Sequence, residues 1–261
     1  MNQFQNKTIL ITGASSGIGQ ASAICFAEQG ANVAINYRGN KEGAIETAKQ
    51  VDAAGGKSLL VKADVSDEAA ILEMIDTTIT HFGGIDVLVN NAAVQKETPS
   101  HLVSTKQFDY EIAVNLRGPF IASREIIAHF LKTQKKGVIV NISSAHELIP
   151  KPFFLPYSVS KSGMTNLTKT LALEYSTQGI RVNCIAPGAT STPMNEAWLN
   201  QEEGRKKVEN YVPLGRIAEP REIAEVIVFV ASPKASYITG QTIYVDGGAT
   251  LFPEYKKNFT S

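Results

Sequence analysis

Tyr157-Ser158-Val159-Ser160-Lys161 sets a phenol and an ammonium four residues apart. On a helix that spacing puts both groups on one face. A phenol has a pKa of about 10 and is a poor base at neutral pH. A neighbouring ammonium stabilises the phenolate and draws that pKa towards the working range. Such a pair can hand a proton to, or take one from, a substrate oxygen. Lys161 is also long enough to reach the ribose hydroxyls of a nucleotide bound alongside. Ser144 lies thirteen residues upstream of the tyrosine, at the end of an apolar run. Its hydroxyl can hold and orient the reacting oxygen. A tyrosine and a lysine at this spacing are common on solvent-facing helices, so the pair carries weight only together with its neighbours.

The strongest neighbour is near the start of the chain. Thr12-Gly13-Ala14-Ser15-Ser16-Gly17-Ile18-Gly19 joins an apolar run to a helical one. Gly13, Gly17 and Gly19 would let the backbone approach a pyrophosphate. The loop residues Ser15 and Ser16, with Ile18 at the helix start, would present N–H donors and the positive end of the helix dipole. The next apolar run ends in Asn36-Tyr37-Arg38-Gly39. No acid stands there to grip an adenosine ribose, the arrangement that would favour NAD. Arg38, beside Tyr37, can instead pair with a 2′-phosphate and stack on adenine, so NADP is the expected cofactor and NAD a tolerated one. After the third run, Asp64 can accept from the adenine amino group while Val65 packs on the ring; Asp64 could equally be a helix cap.

These groups need a scaffold that brings them to one edge. Apolar, β-rich runs predict strands at Thr8–Thr12, Asn32–Asn36, Ser58–Lys62, Val87–Asn90, Val138–Ile142, Arg181–Ile185 and Thr242–Val245. Several lack polar alternation, as strands covered on both faces do. Helical spacing occupies Ile18–Gln29, Lys41–Ala54, Glu68–Phe82, Lys106–Thr133, Pro156–Thr177 and Pro220–Ala231. Gly30, Gly55 and Gly179 stand where left-handed caps are expected. Alternating strands and helices predict an α/β fold: one Rossmann-type doubly wound parallel sheet of about seven strands, helices on both faces, spanning residues 1–261 as a single domain. In such a sheet, ligands bind where the carboxyl ends of the strands enter loops. Residues 190–217, the least regular stretch, carry Pro193, Pro213 and the only tryptophan, Trp198. They are expected to form a substrate lid.

The 261 residues hold 25 basic and 25 acidic side chains, a formal net charge of zero. That balance supplies no basic field for nucleic acid and no strong self-repulsion against association. Cys25 and Cys184 lie in apolar runs, without metal-ligand spacing, and read as small buried hydrophobes; no metal is expected. Met1–Lys7 is polar, with no leader pattern, and no apolar run reaches a membrane span of about 20 residues. A cytoplasmic protein that binds neither nucleic acid nor membrane is the expectation.

Together the motifs resemble the short-chain dehydrogenase/reductase family over nearly the whole chain. The matching residues are Thr12–Gly19, Asp64-Val65, Asn90-Asn91-Ala92-Ala93, Asn115, Ser143-Ser144, Tyr157 with Lys161, Pro187-Gly188 and Asp246-Gly247-Gly248. The resemblance implies transfer of a hydride between a nicotinamide and an alcohol or carbonyl carbon. It implies Asn115 as a fourth catalytic residue, holding a water through a helix irregularity and completing a proton relay from Lys161. It implies Asn91, Ala92 and Ala93 in the cofactor pocket, and Ile185, Pro187, Gly188, Thr190 and Thr192 about the nicotinamide. Ala93 stands where the family usually has glycine, which narrows the wall there.

Within the family, Ser144-Ala145-His146-Glu147-x-Ile149-Pro150, Ser123-Arg124-Glu125 and the tail Gly247–Pro253 resemble bacillus-type glucose 1-dehydrogenases. A sugar or polyol is therefore the expected substrate, with Ser144, His146, Gln95 and Asn195 as candidate contacts. Phe153, Phe154 and Leu155 lie on the same approach and could favour a more apolar alcohol, a steroid or an acyl chain. The alternative activity is reduction of a 3-oxoacyl group on an acyl carrier protein, for which Arg205, Lys206 and Lys207 could form the basic landing patch. The long helices Lys106–Thr133 and Pro156–Thr177 carry apolar residues on more than one face and are expected to pack against further copies in a homotetramer.

Overall fold

The apolar runs form seven strands: β1 (Thr8–Ile11), β2 (Asn32–Tyr37), β3 (Lys57–Lys62), β4 (Val87–Asn90), β5 (Gly137–Ile142), β6 (Ile180–Pro187) and β7 (Thr242–Val245). All pairings are parallel, in the order β3-β2-β1-β4-β5-β6-β7. The structure, a computed structural model, describes residues 2–251. Phe252 and Pro253 of the tail motif lie outside the described residues. β1 and β4 are buried throughout, which explains their uninterrupted apolar sequence. The winding reverses between β1 and β4, and the crevice that opens there is where a doubly wound sheet takes a ligand.

Nine α-helices accompany the sheet among the described residues: α1 (Gly17–Ala27), α2 (Lys41–Ala53), α3 (Glu68–Phe82), α4 (Thr105–Ile112), α5 (Gly118–Thr133), α6 (Leu155–Tyr175), α7 (Glu196–Leu199), α8 (Glu202–Tyr211) and α9 (Pro220–Ala231). One apolar core joins α1, α2 and α9 to the sheet; the other joins α3, α5 and α6 to its opposite face. Gly30, Gly55 and Gly179 take positive φ as expected of caps. Cys25 and Cys184 are free and buried, and burial pushes their thiols up to about 11 and about 12.

Two expectations change. The helix expected over Lys106–Thr133 is α4 and α5 joined by one π-helical stretch, Ala113–Arg117. Pro119, in the first turn of α5, has no N–H to give the Asn115 carbonyl four residues back, and the ring crowds that carbonyl; a widened turn accommodates both. The stretch read as irregular, residues 190–217, contains α7 and α8. No residue of α8 is buried, so it lacks the apolar stripe that marks a core-packed helix in sequence.

A buried polar cluster fixes how α5 and α6 sit on the sheet. Asn90, ending β4, donates from Nδ2 to Asn141 Oδ1 at 2.8 Å and to Ser123 Oγ at 3.1 Å. Asn141 on β5 donates from Nδ2 to Thr168 Oγ1 on α6 at 2.9 Å. Buried amides are costly unless bonded, so the cluster specifies one arrangement of these four elements. No described helix is long and apolar enough to cross a membrane.

Candidate active site

The glycine loop leaves β1 and is held open by three side chains. Asn36 Oδ1, on β2, accepts from Gly13 N at 3.1 Å, and its Nδ2 donates to the Val61 and Ala63 carbonyls. Asn91, just past β4, donates from Nδ2 to the Thr12 and Gly13 carbonyls at 2.9 and 3.0 Å. Thr12 Oγ1 accepts from the amides of Asn91 and Ala92 at 2.9 and 3.0 Å. A Cβ on Gly19 would stand 2.5 Å from both Asn91 Nδ2 and Gly13 O, so only glycine fits beneath the loop. Gly17 opens α1 at φ +57. No side chain caps this helix, and its first turn holds no acid, so its amides and dipole remain available to an anion.

Tyr157 and Lys161 lie on one face of α6. Both are buried, at 6% and 1% exposure. Lys161 Nζ donates to the Ile142 carbonyl at the end of β5 over 2.7 Å and stands 5.5 Å from the centre of the Tyr157 ring. Burial lowers the ammonium from its ordinary value to about 8. Burial also raises the Tyr157 phenol, while the Ser144 hydroxyl beside it acts in the opposite direction. The expected acidification of the phenol is therefore outweighed in the chain alone, because desolvation disfavours both charged forms. Ser144 Oγ accepts from His146 N at 3.1 Å and keeps its own proton for the oxygens at this end of the cavity, the Tyr157 phenol's among them.

A cavity of about 860 Å³ joins these two regions, roomy for a dinucleotide and a small substrate by the usual scale of ligand sites. It is lined by Gly13, Ser15, Ser16, Gly17, Ile18, Arg38, Asp64, Val65, Asn91, Ala92 and Ala93 along one half. Ser144, Tyr157, Lys161, Pro187, Gly188, Thr190 and Thr192 line the other, with Gln95, His146 and Asn195. Four expected residues are not on its wall. Gly19 lies under the loop, Tyr37 is buried in the core with α1 and α2, Ile185 on β6 is buried in the same core, and Asn115 stands behind the wall. Asn115, fully buried in the π stretch, accepts from Val94 N and donates to Val94 O, each at 2.8 Å, and to Ser160 Oγ at 3.2 Å. It thus pins the loop after β4 to α6.

Arg38 donates to the Tyr110 hydroxyl and lies 3.8 Å from the Asp64 carboxylate. Asp64 also accepts from the Ser66 amide and hydroxyl. Phe153, Phe154 and Leu155 are absent from the wall; Ile149, Met194, Trp198, Val208 and Tyr211 supply its apolar surface instead. Asn36 and Lys151 also went unnoticed in the sequence. An asparagine closing an apolar strand was a usable signal for the first; nothing in its local sequence marks the second.

The family model described as enoyl-(acyl carrier protein) reductase matches residues 13–250. The chain is 44% identical over 255 residues to 3beta-hydroxysteroid dehydrogenase 1 of Eggerthella lenta, covering 98% of each. It is 43% identical over 260 residues to glucose 1-dehydrogenase of Gluconobacter oxydans, covering 100% of this chain and 98% of that one. Among solved structures it superposes on 3-ketoacyl-(acyl-carrier-protein) reductase from Brucella melitensis, complexed with NADH, with TM-score 0.87 and 36% identity over 94% of this chain and 99% of that one. The chain belongs to the short-chain dehydrogenase/reductase family. It is an NAD(P)-dependent oxidoreductase acting on CH–OH groups.

A nicotinamide dinucleotide fits the residues present: a glycine cradle with no room for a Cβ, an uncapped helix terminus and a cavity that continues to a phenol. Gly19→Ala should displace Asn91 or the Gly13 carbonyl, at a cost typical of overpacking, about 1–3 kcal/mol. We expect cofactor affinity to fall by about 10–100-fold while circular dichroism stays native. Unchanged affinity by titration of nicotinamide fluorescence would show that the loop does not hold the cofactor.

Proposed function

We propose that this chain interconverts an alcohol and its carbonyl, with NADP as the preferred nicotinamide cofactor and a sugar or polyol as substrate. The observation that carries the reading is the buried Tyr157–Lys161 pair, with Ser144 beside it, at the end of a cavity that begins at the glycine loop. Bound there, the nicotinamide would accept or supply the hydride. Ser144 donates to the substrate oxygen and orients it. Tyr157 carries the proton to or from that oxygen. Lys161 holds the positive charge that makes loss of the phenol proton tolerable, and reaches the cofactor ribose. Asn115 positions α6 and the loop after β4; in the family's mechanism it also extends the proton path from Lys161. Pro187, Gly188, Thr190 and Thr192 flank the nicotinamide, and residues 190–217 cover the substrate.

The pH dependence follows from the pair. Lys161 loses a proton near pH 8, which leaves one proton to be shared between its amine and the neighbouring phenol. The form lacking that proton accepts from an alcohol; the fully protonated form donates to a carbonyl. Oxidation should therefore rise with pH through about 8, and reduction should fall over the same range. Tyr157→Phe should lower turnover by about 10²–10⁴-fold with cofactor affinity retained. A residual rate near wild type, or oxidation that falls as pH rises, would contradict the assignment.

A sugar or polyol is favoured over an acyl carrier by the charge of α8. Its three bases are matched by three acids. Arg205 pairs with Glu209 at 2.9 Å and Lys206 with Glu202 at 2.6 Å, which leaves little free basic patch for an acidic carrier. The preference for NADP is supported by Arg38 on the cavity wall and by the lack of an acid at the end of β2. Assembly as a homotetramer is supported by Leu155, Val159 and Leu173, which are exposed along one face of α6. Free buried cysteines suit a reducing cytoplasm.

Arg38→Ala should weaken NADP by about 10–100-fold, the scale of one charge-assisted hydrogen-bonding group, and leave NAD nearly unchanged. Equal losses for both cofactors, measured as KM under saturating substrate, would remove Arg38 as a phosphate clamp.

A further inference from the structure

Among the described residues, four ionised side chains line the cavity: Arg38, Asp64, Lys151 and Lys161. Arg38 and Asp64 stand beside the glycine loop, 3.8 Å apart. Among the described residues, the wall of the half that holds Tyr157 therefore contains two cations and no carboxylate. Glu147 is not on that wall: it accepts from the Tyr244 hydroxyl at 2.9 Å, and its charge acts on Lys161 from behind. Lys161 is committed to the Ile142 carbonyl and the Tyr157 ring. Lys151 has no place in the proton chemistry.

Lys151 is half-buried, and its Nζ stands 3.9 Å from the centre of the Phe154 ring. Among the described residues it forms no ion pair; Glu97 acts on it only from beyond pairing distance. Burial lowers its pKa from the ordinary lysine value. A cation in partly dehydrated surroundings is penalised alone and attracts an anion more strongly than the same cation in water. A lysine can only donate, so it is poorly matched to a neutral sugar, whose hydroxyls ask for acceptors as well.

The neighbouring histidine complements it. His146 Nδ1 lies 3.0 Å from the Ile149 carbonyl. That contact assigns the ring proton to Nδ1 and leaves Nε2 as an acceptor for a hydroxyl. Burial, chiefly, and the Lys151 charge both favour the neutral ring.

We propose that Lys151 binds an anionic group on the substrate, so that the chain acts on sugar-type hydroxy or oxo carboxylates in preference to neutral sugars. The inference rests on the reading of this cavity as an alcohol-oxidising site. The carboxylate takes no part in the bond changes. The substrate hydroxyl gives its proton to Tyr157, the carbinol carbon gives its hydride to the nicotinamide, and the C=O bond forms between them. Lys151 fixes the far end of the substrate, and His146 accepts from a hydroxyl between the two.

The test compares matched pairs that differ only in a terminal carboxylate: D-gluconate with D-glucitol, D-galactonate with galactitol, and D-xylonate with xylitol. Turnover is followed with NADP. Binding to the enzyme–NADP complex is followed separately through Trp198, the single tryptophan of the chain and part of the cavity wall. The acid of at least one pair should be favoured by about 10–100-fold in kcat/KM. Lys151→Met should abolish that advantage through KM, leaving kcat and the alditol nearly unchanged, and Lys151→Arg should keep much of it. Equal or better use of the alditols, or equal losses for both compounds in Lys151→Met, would overturn the proposal while leaving the parent reading intact. If no compound is oxidised, the parent reading of the substrate fails; Lys151-dependent binding of an acid would still support this inference, and its absence would overturn it.

Discussion

Lys161 carries an ammonium into the interior at 1% exposure, and a single carbonyl, Ile142 O, takes a hydrogen bond from it at 2.7 Å. Removing such a charge from water costs several kcal/mol even after relaxation. The surroundings must therefore hold the charge in one place. Ser143 Oγ donates to the Lys161 carbonyl at 3.2 Å, and the Asn141–Thr168 bond ties α6 to β5 one strand residue behind. Asn115 reaches Ser160, and Ser160 Oγ donates back to the Tyr157 carbonyl at 2.7 Å. The polar groups about this helix thus serve one purpose: to place a costly cation beside a buried phenol. The energetic cost is also the source of chemistry, since neither group rests at the proton affinity it would have in water.

The same logic governs the nucleotide end. The glycine loop has few side chains of its own to hold its shape, so that shape is imposed from neighbouring strands by Asn36, Asn91 and Thr12. Each sits at the carboxyl end of a different strand, or just beyond it. Strand order places those ends side by side around the β1–β4 switch point. One topological fact therefore explains why residues separated by 79 positions in sequence meet within 3 Å.

Much of this was legible beforehand because the relevant signals are local. Apolar runs without alternation marked β1 and β4, and Glu68–Phe82 and Pro220–Ala231 match their expected bounds. Tyr157, Lys161 and Ser144 share one cavity wall as their spacing suggested. What stayed hidden depends on long-range contacts. The π stretch at Ala113–Arg117, expected only through the family resemblance as an irregularity at Asn115, answers to Pro119 and to an asparagine whose partner, Val94, lies 21 residues away. The net effect of burial on the phenol needed the depth of the site, which no spacing gives. Tyr37 looked like a cofactor neighbour next to Arg38, yet successive strand residues face opposite ways, and it went to the core. Lys151 lies just past the Ser144–Pro150 motif and acquires meaning only from its place on the cavity wall without an ion-pair partner among the described residues.

The account turns on one geometry: a phenol, a serine hydroxyl and an ammonium gathered around the reactive end of the cofactor. A crystal structure of the chain with NADP bound is the most direct measurement. The nicotinamide C4 should face the Tyr157 hydroxyl across a gap fit for one substrate carbon, giving reacting contacts of about 3–3.5 Å, with a ribose hydroxyl within about 3 Å of Lys161 Nζ. A C4 turned towards the opposite wall, or a ribose out of reach of Lys161, would contradict the account.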